Sequence, residues 1–354
     1  MFNLIIAVFL MISHCFCASC VSIDITPITL IRADDSSGLD RPEGVAFSPS
    51  GDFIAVTNSL ANTVTFYRRV GNQGAIYEKT PAFSIKGPKS QLNYPHDLSF
   101  SPDGQSLAVA NRGGNAITIY RKNPFQDYYD SIPIAIIGGK KSKIMAPDAV
   151  RYSPVENTIA VVNMVTNTIT FYYYQGDQYQ QKPYQIIQNP ILQIPDGLDF
   201  SKDGKFLAVT SHDAHAVAIY QRINNSQGYY TQDPVQILQG KETGFSYPHS
   251  LSFHPLNNCL AVSCSQGSKN VHVFTKISEA TPYSNAPDIS LEVIEMYDAS
   301  TLVFLDQLQQ EGGVKGVAFS PDGKSLAITQ NLCQDDLHLP YPVGVLAIYS
   351  LNDE

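Results

Sequence analysis

Six polar side chains recur at one fixed place in a repeating pattern: Glu43, His96, Asp148, Asp196, His249 and Lys315. Each stands four positions before an aromatic residue, in turn Phe47, Phe100, Tyr152, Phe200, Phe253 and Phe319. A second row follows eleven positions after the same aromatics: Asn58, Asn111, Asn163, Ser211, Cys264 and Gln330. If the fold brings both rows together, Glu43, Asp148 and Asp196 with nearby amide oxygens form a hard donor set suited to Ca²⁺ or Mg²⁺. The two histidines would instead draw the cluster towards Zn²⁺ or another transition metal. One divalent cation, Ca²⁺ or Zn²⁺, is thus the cofactor the residues suggest, with its identity left open. Such an ion would polarise a carbonyl while Asp196 or a histidine acts as general base on water, which makes Asp196 the catalytic candidate. The same rows have a plainer reading as a hydrated rim, because the mouth of any channel is wet.

The elements that carry these residues are short strands. In the stretch from Tyr94 to Lys122, YPHDLSFSPDGQSLAVANRGGNAITIYRK, Leu98 to Ser101 alternates apolar and polar, and Pro102-Asp103-Gly104 is a turn. Leu107 to Ala110 is a buried run, Asn111 to Asn115 a second turn, and Ala116 to Tyr120 alternates again. The unit recurs from Arg41, Ala146, Ile194, Tyr247 and Val314, with the aromatics spaced by 53, 52, 48, 53 and 66 residues. A period near fifty built only of strands and turns predicts propeller blades, since one unit cannot bury both of its faces. Fourth strands are expected over Ala82 to Lys86, Ile132 to Ile137, Pro183 to Ile187, Pro234 to Gln239 and Ile289 to Glu295. The last repeat has none, and Thr26 to Ile31 at the other end of the chain can supply it. The expected fold is therefore all-β: a six-bladed β-propeller of four-stranded blades, closed by pairing an N-terminal strand with the C-terminal three. The extra length in the longest interval, about fourteen residues, is too little for a blade and reads as longer loops near Ser278 to Pro287 and Asp306 to Gly313.

Residues 1–19 read as a signal peptide ahead of a propeller domain over 20–354. Leu4 to Ile12 is an apolar run followed by small and polar residues, too short to span a bilayer. Cleavage after Ser19 would leave Cys20 first, and Cys-Ala-Ser-Cys resembles a bacterial lipoprotein signal, so a lipid anchor at Cys20 is the one route to a membrane. The expected location is secreted, periplasmic or surface-attached. A net charge of −9 and the absence of any basic run argue against a nucleic-acid partner. Beyond Cys20, only Cys259, Cys264 and Cys333 remain past the leader, too few for a disulfide framework. Cys264 and Cys333 fall in comparable loops and could pair, whereas Cys259 reads as a small core residue.

The repeat resembles those of lactonase-type, NHL and YVTN-like propellers, WD40-like in layout, with Pro-x-Gly-Val-x-Phe-Ser-Pro-Asp-Gly leading into Leu-Ala-Val-x-Asn. The likeness covers residues 25 to 351. It implies that the inner strand of each blade lines the axis, and that the mouth where those strands begin holds the site. Pro42-Glu43-Gly44 and Pro195-Asp196-Gly197 also look like gluconolactonase and regucalcin motifs, whose Glu and Asp hold a divalent cation with asparagines. Carried over, that resemblance implies a lactonase-type hydrolase using Glu43, Asp148 and Asp196 with Asn58, Asn111 and Asn163.

Two further features point to binding. The loop from Gln330 to Gly344 is longer than its counterparts and carries Asp335, Asp336 and His338, placed to overhang the mouth. The opposite face is rich in tyrosine: Tyr77, Tyr128, Tyr129, Tyr179, Tyr184, Tyr229, Tyr230 and Tyr283. Rings with hydroxyls suit protein or glycan recognition, though many would serve as staples within hairpins. His212 and His215 share a turn, and Asn224-Asn225-Ser226 is a glycosylation sequon. No nucleophile elbow, phosphate loop or metalloprotease helix is present. The sequence thus supports an exported binding module for a protein or glycan partner, with a metal-dependent lactonase-type hydrolase as the alternative.

Overall fold

The computed structural model describes residues 22–34, 36–71, 74–223, 228–256, 258–267, 270–276, 283–293, 312–332 and 344–352. The leader, Cys20, the sequon, Cys333, Asp335, Asp336 and His338 lie outside these residues.

Each blade is an antiparallel meander whose strands run from the axis outwards. In blade 2 the order is Pro95–Phe100, Ser106–Asn111, Ala116–Arg121 and Ala135–Gly138. Its second strand is buried along its whole length, because neighbouring blades cover both faces of the sheet. The turn between its first two strands is closed by Asp103, whose Oδ1 accepts from Ser101 Oγ (2.6 Å) and from the amide of Gln105 (3.0 Å). Gly104 takes the left-handed conformation there, at φ 68°. Outer strands form at Phe83–Ile85, Ala135–Gly138, Gln185–Gln188, Gln236–Gln239 and Ile289–Leu291, shorter than expected but in the expected places.

Six apolar clusters lie between successive blades. Between blades 1 and 2, for example, Ala55, Phe66 and Ile85 meet Leu98, Leu107 and Val109. The cluster that closes the ring joins Ile31, Leu346 and Ile348 of blade 6 to Val45, Val56 and Tyr67 of blade 1. Thr29–Arg32 supplies the outer strand of blade 6 by pairing antiparallel to Val345–Asn352, Ile31 opposite Leu346. The short strand Ser22–Ile23 pairs with the other end of the same partner.

Cysteine chemistry departs from expectation. Cys264 is a free, buried thiol, which rules out its pairing with Cys333. Burial in an apolar setting pushes that thiol up to about 12, so it is inert as a nucleophile. Cys259 is buried in the core between blades 5 and 6, as expected, and is in addition disulfide-bonded.

Candidate functional site at the axial mouth

Every inner strand carries the same irregularity. Pairing slips between Pro42 and Val45, Pro95 and Asp97, Pro147 and Ala149, Pro195 and Leu198, Pro248 and Leu251, and Val314 and Val317. Each slip contains one member of the polar row, and a bulge re-aims the side chain at that point. The glycine after it is a packing requirement in blades 1 and 4: a Cβ on Gly44 would lie 2.7 Å from the Asp97 backbone, and one on Gly197 2.7 Å from that of Ser250. Half of each lactonase-like Pro-x-Gly motif is therefore explained by blade contact alone.

Glu43, His96, Asp148, Asp196, His249 and Lys315 are all buried at this end of the axis. Glu43 Oε2 stands 3.7 Å from His96 Nε2 and 3.9 Å from His249 Nε2. The two imidazoles stack across the axis, centroids 5.4 Å apart and planes inclined by 24°. Asp196 Oδ2 is 3.4 Å from His249 Nε2, and Arg112 Nε reaches Asp148 Oδ1 at 3.5 Å. Asn331, which the sequence rows miss because it follows Gln330, donates to Glu43 Oε1 at 2.8 Å. Glu43, His96, Asp148, Asp196 and His249 line a space of about 10 Å³, the volume of a single small ion or water.

Electrostatics follow from that closure. Burial lowers His96, opposed by Asp148 and aided by Arg112 and Lys315. His249 falls well below the ordinary histidine value, through burial and then the charge of Lys315. Asp196 is raised well above the ordinary carboxylate value by burial and by Asp148, with Lys315 and Arg112 pulling the other way. Burial thus favours the uncharged forms of His96, His249 and Asp196.

The asparagine row does different work. Asn58 Oδ1 accepts from the amide of Asp40 (3.0 Å), Asn111 Oδ1 from Asn93 (2.9 Å) and Asn163 Oδ1 from Met145 (3.1 Å). Their Nδ2 groups donate to Thr65, Thr118 and Thr170. The amides expected as ligands are spent on holding the chain as it approaches each inner strand. The group whose ligand atoms all approach within 4.8 Å is Glu43, His96 and His249, not the three carboxylates.

Two rows escaped sequence reasoning. One residue before each asparagine or its equivalent, Thr57, Thr210 and Ser263 donate to the carbonyls of His96 (3.0 Å), His249 (2.9 Å) and Lys315 (2.7 Å), and Thr329 does the same to Glu43. Each hydroxyl thus fixes the mouth residue of the next blade. Blade 2 has Ala110 at this place, and His96 Nδ1 binds the Asp148 carbonyl instead, at 3.0 Å. The residues just before the marker aromatics form the other row. Ser99 Oγ accepts from Tyr152 N (3.1 Å), Asp199 Oδ2 from Phe253 N (2.9 Å) and Ser252 Oγ from Phe319 N (3.2 Å). Period and polarity were visible for both, but an internal hydroxyl looks like any strand threonine until its partner is known.

The turn histidines divide. His215 Nδ1 accepts from Tyr247 N (3.1 Å), the role played by Asn62, Asn115 and Asn167 towards Tyr94, Ala146 and Ile194. His212 bonds Asp213 (2.8 Å) and packs on Tyr247. On the opposite face Tyr77, Tyr129 and Tyr230 are hairpin staples whose hydroxyls donate to Gly51, Gly104 and Gly204. Tyr173, Tyr184 and Tyr229 instead line a solvent-facing hollow of about 460 Å³ between blades 3 and 4, with Glu156, Asn157 and Gln180.

No protein-family model matches the chain, and no curated protein matches it. Solved structures do. One is described as a putative 6-phosphogluconolactonase from Bacteroides fragilis (TM-score 0.59, 13% identity, 89% of this chain and 96% of that one). The periplasmic gluconolactonase of Pseudomonas aeruginosa aligns at TM-score 0.53 and 17% identity over 73% of this chain and 72% of its own. The WD40 repeats of RRP9 align at 0.58 and 10% over 94% and 100%. At these identities the likeness is one of fold: a β-propeller architecture shared by proteins described as lactonases and by WD40 propellers.

Proposed function

We propose that this propeller is a binding module for a protein or glycan partner, engaged through its faces rather than through turnover at the axis. The observation that carries the reading is the narrow mouth: among the described residues, Glu43, His96, Asp148, Asp196 and His249 leave about 10 Å³, far below what an organic substrate needs, while larger hollows such as that at Tyr173, Tyr184 and Tyr229 face solvent. The hollow floored by Tyr173, Tyr184 and Tyr229 offers ring faces beside Glu156, Asn157 and Gln180, the mixture that stacks on and hydrogen-bonds a glycan or a polar peptide. The disulfide at Cys259 supports an exported location, where such bonds persist. A glycan array and affinity capture, each run with the Tyr173→Ala/Tyr229→Ala pair as control, test the reading. Binding that the pair weakens at least about tenfold is expected. Absence of any ligand, or ligands indifferent to the pair, would sink this placement.

A second reading has one observation in its favour. Glu43 and Asp196 of the two lactonase-like motifs do reach one axial cluster with two imidazoles. A lactonase-type hydrolase would use Asp196 as base on water beside a cation at Glu43, once the mouth opened. A lactone panel assayed with the wild type and Asp196→Asn decides it: turnover abolished by the substitution supports hydrolysis, and none in either protein removes it.

A further inference from the structure

We propose that the closed axis is a structural metal site: one four-coordinate transition-metal ion, Zn²⁺ by preference, held by Glu43 Oε2, His96 Nε2 and His249 Nε2. The inference does not rest on the partner-binding reading and stands or falls separately. Bond lengths near 2.0–2.1 Å and tetrahedral angles place ligand atoms roughly 3.3 Å apart. Glu43 Oε2 lies 3.7 and 3.9 Å from the two Nε2 atoms, and all three atoms fall within 4.8 Å of one another. Closing on an ion therefore requires the ligand atoms to approach one another by roughly 0.4 to 1.5 Å.

The orientation of His96 is an independent sign. Its Nδ1 lies 3.0 Å from the Asp148 carbonyl, which can only accept, so Nδ1 carries the proton and Nε2 presents its lone pair to Glu43. An imidazole that donates one nitrogen to a backbone carbonyl and turns the other inward has the arrangement of a metal ligand. Glu43 is set in the same manner, its other oxygen receiving Asn331 Nδ2 at 2.8 Å.

Charge and size narrow the ion. Glu43 brings the single carboxylate among the three candidate ligands. Two nitrogen donors and a single carboxylate suit Zn²⁺ and its neighbours, whereas Ca²⁺ needs six to eight oxygens. Among the described residues the space beside the ligands is about 10 Å³, room for a water or Asp196 Oδ2 at the fourth position. All three ligands are buried, which is the character of a structural ion. It would tie blades 1 and 2 to blade 5 across the axis.

The test uses the full chain without a polyhistidine tag, stripped with chelator and titrated with Zn²⁺ and with Co²⁺. One equivalent should bind, Co²⁺ should give the intense visible bands of four-coordinate cobalt, and the melting temperature should climb with free ion. His96→Ala and His249→Ala should abolish all three effects, while His212→Ala keeps them. Should either axial variant fail to fold, the cobalt spectrum of the wild type decides alone. A folded wild type that takes up less than about one tenth of an equivalent overturns the proposal. So does a weak six-coordinate spectrum, or uptake unchanged in the axial variants.

Discussion

Arg151 lies between carboxylates from the blades on either side, close to Asp97 and 3.7 Å from Asp199 Oδ1. Because Asp97 takes the nearer guanidinium nitrogen, burial outweighs attraction at Asp199 and pushes its carboxyl up to about 6, against 3.8 ordinarily. A raised value means that the folded chain binds the proton more tightly than the unfolded chain does. Stability from this group is therefore complete below pH ~4 and is lost as pH rises through ~6. The full swing for two pH units is about 3 kcal/mol. With 21% of the side chain still in water, about 1–2 kcal/mol is the better expectation. Denaturant midpoints followed from pH 4 to 7 should differ between the wild type and Asp199→Asn by this fall, the wild type losing stability relative to the variant as pH rises; parallel curves would refute it. Asp199 was illegible as a perturbed group, since its charge partner lies on another blade. Glu43, His96 and His249 were legible as a row, yet which three meet could not be read, because that depends on where each bulge aims its side chain.

Clasps between neighbouring blades repeat with the same regularity as the strands. Asn62, Asn115, Asn167 and His215 all adopt left-handed backbone conformations, φ 49–53°, and each accepts from the first backbone amide ahead of the next inner strand. Asparagine tolerates this conformation better than most residues, and its side chain supplies the acceptor. His215→Asn should therefore leave the melt unchanged or raise it slightly. Asn115→Gly keeps the conformation and loses the bond, whereas Asn115→Ala loses both, so alanine should cost more, about 1–2 kcal/mol against about 1. Equal losses would show that backbone conformation contributes nothing. The tyrosines separate in the same way. Tyr129→Phe frees the Gly104 carbonyl and should cost about 1–2 kcal/mol, while Tyr128→Phe, with no such bond, should stay within about 0.5 kcal/mol. Composition alone made all eight tyrosines look alike; position relative to the hairpin turn distinguishes them.

At the scale of the whole molecule the ring has one seam that is not covalently continuous with its blade. Blade count, strand order and closure were readable because they depend on period and on apolar alternation, which the chain repeats six times. The volume left at the axis was not readable, because it depends on how six side chains of different length meet. At the seam Ile31 is buried against Leu346 and Ile348 of its own blade and Val45 and Val56 of blade 1. Ile219 is buried as deeply in blade 4, whose four strands are consecutive in the chain. Either residue cut to alanine should cost about 2–4 kcal/mol through lost burial and a cavity. Only Ile31→Ala loosens a strand that covers a sheet edge, that of Val345–Asn352, so only that variant should associate at high concentration. Light scattering below the melting transition, compared at matched stability, checks this. Equal association by both variants would mean that the seam opens no more readily than any blade, and that closure rests on the blade-to-blade cores alone.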